Sequence, residues 1–105
     1  MDTASYINIL KETLEKKVSV LQALSEATKR QTVIAQAEEF DTDAFEANIE
    51  QKDALLDQLN ELDDGFERVF GEIRSELNEQ KDIYKKDILN LQDLIRRCTE
   101  LGVEI

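Results

Sequence analysis

The chain has 105 residues and a formal net charge of −11, with 41% hydrophobic and 35% charged side chains, one Cys, three Gly, and no His, Pro or Trp. Without His there can be no Ser–His or Cys–His nucleophile and no Glu-x-x-His di-iron site, and the three dispersed Gly form no phosphate cradle. An enzyme, a cofactor and a resident metal are therefore not expected, and the lack of Pro and Gly punctuation points away from β architecture.

The length suits one helical domain, residues 1–105, with a single modest core. The N-terminus, Met1-Asp2-Thr3-Ala4-Ser5, has neither a basic nor an apolar leader region, and apolar runs stop at two or three residues, far short of the ~20 that span a bilayer. A cytoplasmic location is the expectation. Cys98, alone, can form no internal disulfide and reads as a small core residue. Residues 39–80 carry 14 acidic and three basic side chains, whereas 1–38 and 81–105 each balance five against five. That field disfavours nucleic acid and anionic membrane. It serves either as a solvated helix face or as a surface for a basic partner.

The first helix is expected from about 3 to about 38, capped by Ser5 or Thr3, with Ile7, Leu10, Leu14, Val18, Leu21 and Leu24 on one face. The next boundary is Phe40-Asp41-Thr42-Asp43-Ala44-Phe45-Glu46. With Asp41 as N-cap, Phe40 and Phe45 form a hydrophobic staple; with Asp43, Glu46 completes a capping-box spacing. Either choice predicts a tight helical hairpin. Asp41 and Asp43 also begin like a calcium loop, but Glu46 stands where that loop requires Gly.

The second helix is expected from about 42 to about 77, with an apolar stripe through Phe45, Ile49, Leu56, Leu59, Phe66, Phe70, Ile73 and Leu77. Gly65 and Gly71 lie inside it, as sites of close helix approach or as tolerated surface residues. Lys52 interrupts the stripe and Lys17 lies beside Val18; each is expected to bury its stem, and Lys52 could also set register. The stripe continues in phase across Gln80 to Tyr84, Ile88, Leu91, Ile95 and Cys98. An unbroken helix would leave an overhang for a second copy, a homodimer. A break at Asn78–Asp82 would give a third helix from about 81 to about 101, and compactness favours the break. The fold expected is all-α: an elongated antiparallel helical hairpin with a third helix, a coiled-coil-like three-helix bundle.

The segment FEANIEQKDALLDQLNELDDGFERVF, Phe45 to Phe70, resembles the middle of FlgN-type flagellar export chaperones. The resemblance rests on the Glu50-Gln51-Lys52 turn, the Leu55-Leu56 pair, Leu59 and Leu62 at helical spacing, and Arg68. The long leading helix and the acidic start of the second also match, and ILNLQDLIRRCTELGVEI is similar to the following helix of clostridial-type members. It implies a cytosolic, non-enzymatic chaperone that binds C-terminal helices of hook–filament junction proteins by helix-in-groove packing, with specificity from a polar, acidic rim, and passes them to the type III export apparatus. The related FliT type implies the filament cap protein as client. The family's client surface lies toward its C-terminus, and this chain stops at Gly102-Val103-Glu104-Ile105. That implies either a shortened chain or client binding through the third helix, by Ile88, Leu91, Ile95, Cys98 and Leu101 with Leu94 flanking. The competing reading is a structural module, a spectrin-like repeat or a coiled-coil segment, with neither nucleic acid nor membrane as partner.

Overall fold

The computed structural model describes residues 2–103, in the order α1 (Thr3–Gln36), α2 (Thr42–Glu79) and α3 (Lys85–Val103). Met1, Glu104, Ile105 and the Val103 side chain lie outside the described residues. The molecule is all-α, long and flat, 60 × 21 × 14 Å.

The face of α1 read from the sequence is the spine of the molecule. Ile7, Leu10, Leu14, Val18, Leu21 and Leu24 are all buried, joined by Ala27. From α2 the buried apolar residues are Ile73 and Leu77, and from α3 Leu91 and Cys98. This asymmetry follows from topology: α1 is the helix covered from two sides, with α2 on one flank and α3 on the other. Antiparallel pairing of α1 and α2 is pinned at three levels: Asn48 Nδ2 donates to the Ala27 carbonyl at 2.9 Å, Lys17 Nζ pairs with Asp63 at 2.6 Å, and Thr3 Oγ1 donates to Glu76. α3 runs back alongside α1, with Lys11 on Asp87 at 2.7 Å and the Cys98 thiol over the Leu14 carbonyl.

The helix starts are set by Asp side chains. Asp2, rather than Thr3 or Ser5, caps α1 by accepting from the Ser5 backbone N–H, and that bond holds its carboxyl below the ordinary value. Asp41 caps α2 by accepting from the Ala44 N–H at 3.0 Å, and the Phe40 and Phe45 rings meet with centroids 5.3 Å apart. Of the two boundary readings, the cap at Asp41 with its staple is the one formed.

α1 ends at Gln36 instead of Glu38, since Glu38 and Glu39 would add negative charge to a helix C-terminus that already carries it. α2 runs on to Glu79, two residues past the expected end, and Gln80, expected as an in-phase core residue, is its exposed C-cap. α3 starts at Lys85 rather than Lys81. Gln80 to Tyr84 form a turn in which the Ile83 and Tyr84 N–H groups donate to the Gln80 carbonyl, while the Tyr84 ring packs on the core. No described residue has a positive φ, so the turn needs no glycine. Gly65 and Gly71 have nothing within 4 Å of the place a Cβ would occupy, so they are tolerated helix residues and not points of close approach.

Candidate functional site: an open trough between α2 and α3

α2 and α3 both pack on α1 but do not approach each other at backbone distance. In a closed three-helix bundle the third pair would also pack. Here the space between them stays open as a groove of about 670 Å³, with Phe66, Phe70, Leu77, Ile88, Leu91 and Ile95 as its apolar lining. A second hollow of about 430 Å³ shares Phe66 and Ile95 with it and continues along α3 past Leu59 and Cys98 to Gly102. Together they make one trough along the length of α3. Phe66 and Phe70, one turn apart on α2, stack with centroids 5.9 Å apart and form the middle of one wall.

The two ends of the trough differ in charge. At the upper end Asp63 is paired with Lys17, and both line the hollow. At the lower end Arg74, Lys81 and Lys85 line the groove, no carboxylate does, and none of the three forms an ion pair among the described residues. The acidic rim implied by the resemblance is not found in this groove; its rim is basic. The acidic excess of residues 39–80 is carried elsewhere on α2.

The six residues expected to meet a partner fall into two groups. Ile88, Leu91 and Ile95 line the groove, Ile95 with 44% exposure and Leu91 as a buried residue. Leu94 packs against the Ile7–Leu10–Leu14 cluster, to which Leu91 also belongs, while Cys98, at the floor of the second hollow, and Leu101 join Val18 and Leu21. Cys98 is 7% exposed, and burial pushes its thiol pKa up, with Lys17 opposing. A helix stripe reports one face, but α3 uses two: one against α1 and one toward the trough.

Sequence reasoning assigned no partner role to Phe66, Phe70 or Leu77, although all three are on the stripe. It did not single out Leu89, 51% exposed and beside Ile88, whose place one position off the stripe marks a wider apolar face. The three cations left no signal beyond the i, i+7 spacing of Arg74 and Lys81.

The family model for FlgN protein matches residues 1–102. The chain belongs to the FlgN family. It is thus a member of a flagellar export chaperone family, and not of an enzyme family. No curated protein and no solved structure is significantly similar to this FlgN-family chain. Among the described residues, no helix is long and apolar enough to cross a membrane, and no group of His, Cys, Asp or Glu could hold a metal ion.

Proposed function

We propose that this FlgN-family protein is a cytosolic chaperone that holds the C-terminal helices of hook–filament junction proteins in the trough between α2 and α3 and delivers them to the flagellar export apparatus. The observation that carries this reading is the open side of the bundle. Two helices flank an apolar channel with no third helix between them, and an amphipathic helix laid there completes a four-helix cross-section. Ile88 and Ile95 contact the client directly, above the buried Leu91. Leu91, Leu94, Cys98 and Leu101 act from below by fixing α3 on α1. Covering the client's apolar stripe in this way keeps it from assembling before export.

Calorimetric titration with peptides spanning those junction-protein helices from the same organism tests the reading. Saturable binding is expected, weakened at least tenfold by Ile95→Glu in the trough and unchanged by Val33→Glu on the exposed far end of α1. Failure of every junction helix to bind would remove these proteins as clients. Binding of the filament cap helix in their place would reassign the client to the FliT type.

A further inference from the structure

The groove has a polarity that its apolar lining alone does not explain. Phe66, Phe70, Ile88 and Ile95 offer surface to any amphipathic helix, but Arg74, Lys81 and Lys85 gather at one end, where α2 stops and α3 starts. All three are exposed. The neighbouring carboxylate Asp87 is occupied by Lys11, and Glu76 receives Thr3 and Tyr84 hydroxyls. The three cations therefore have no partner among the described residues, in a chain whose other surfaces along α2 are strongly acidic. The N-terminus of α3 adds its positive dipole end to the same spot.

We propose that the segment this trough receives is an amphipathic helix of about three to four turns with carboxylates clustered at one end, and that these seat over Arg74, Lys81 and Lys85. The inference rests on the chaperone reading for the presence of a helical client, and adds the chemistry by which the client is chosen and aligned. The length follows from the span of Lys85 to Ile95, some ten residues, which at ~1.5 Å per residue is roughly 15 Å, and from the longer wall of α2. Away from the cations the trough offers an acidic helix end no free positive charge, since Lys17 is already paired with Asp63, so a client sliding along the apolar lining or entering end-for-end loses its pairs. The cations thus set both direction and register.

The test uses the intact chain and two stapled fourteen-residue helical peptides with the same Leu stripe, one ending in a turn of three Glu and the other in a turn of three Lys. Three solvent-facing ion pairs are expected to favour the Glu-ended peptide about tenfold at low salt, with the preference shrinking in 0.5 M NaCl. In the Arg74→Glu/Lys81→Glu/Lys85→Glu variant, its fold checked by circular dichroism, the preference should reverse toward the Lys-ended peptide. Equal affinities for the two peptides, no binding of either, or a Glu preference that survives the triple reversal would each overturn the proposal. So would sedimentation showing a dimer that the triple variant dissolves, since the occupant would then be a second copy. Because the peptides are designed, the result stands apart from the junction-helix titration: charge selection can fail while junction helices bind, and the reverse.

Discussion

The Asn48 side-chain amide donates to the Ala27 backbone carbonyl at 2.9 Å in the buried seam between α1 and α2, while its Oδ1 has no protein partner among the described residues. A polar group in that seam fixes which residues of the two helices lie opposite, because every shifted pairing buries the amide against carbon. Asn48→Ala removes one hydrogen bond together with one unsatisfied acceptor, so a loss of about 1 kcal/mol or less is expected. Asn48→Asp places a buried carboxylate against a carbonyl and should cost about 3 kcal/mol or more at neutral pH. That carboxyl would titrate above its unfolded value, so the variant should regain stability as the pH falls toward 4, when a protonated acid can donate. Urea unfolding at pH 7 and pH 4 checks both the magnitude and the sign.

Asp41 and the Phe40–Phe45 pair hold the α1–α2 turn by different means, one polar and one apolar. Asp41→Ala should cost about 1 kcal/mol and Phe40→Ala a similar amount. The two effects should not add, since each loosens the same turn. A double-mutant cycle by thermal unfolding measures the coupling. The Asp2 cap gives a related pH effect. Its carboxyl is held below the ordinary 3.8 by the Ser5 N–H bond, so its contribution is present above 3.8 and disappears as the pH falls through the lower folded value. Asp2→Ala should flatten that acid limb of the stability profile.

Gly65→Ala and Gly71→Ala should each raise stability, by up to about 1 kcal/mol. Both lie inside α2 with open space where the methyl would go, so helix propensity acts unopposed. A destabilised Gly71→Ala would mean that this part of α2 bends in solution. Melting temperatures decide it.

Cys98 is buried with its pKa raised above the ordinary 9.0 by desolvation. The unfolded chain therefore ionises first, and stability should decline as the pH rises through 9. Thiol labelling at pH 8 should follow the opening of α3 from α1, far slower than for free cysteine and accelerated by Leu91→Ala. Labelling at the rate of an exposed thiol would show that α3 does not stay seated.

Much of the scaffold was legible because it depends on local periodicity. The i, i+3/i+4 repeat from Ile7 to Leu24 marks the buried face of α1, and Phe40-Asp41…Phe45 carries its own turn chemistry. Legibility fails where three-dimensional placement decides. Gln80 keeps the heptad phase yet caps a helix in solvent, because Tyr84 anchors the following turn from the core. Leu94 and Leu101 share the periodicity of Ile88 and Ile95 but turn to α1, and only the seating of α3 separates the two sets. Arg74, Lys81 and Lys85 come to line one groove through the turn that links α2 to α3. No pattern within either helix brings them together. Asn48 was unreadable for a simpler reason: an Asn beside Ile49 is the same letter whether it faces Ala27 or water.

α3 follows α1 only to the level of Val18 and Leu21, beyond which Leu24 to Gln36 and the first turns of α2 form a two-helix ribbon with Val33, Phe40 and Leu56 substantially exposed. Backbone amides should therefore exchange with deuterium at very different rates along one continuous helix. Those of α1 near Leu10 should open only with global unfolding, and those near Val33 through inexpensive local fraying. The molecule thus has a slow end and a fast end, and the trough is built beside the slow one, so a bound helix would meet walls that hold still while the hairpin tip remains free to give way.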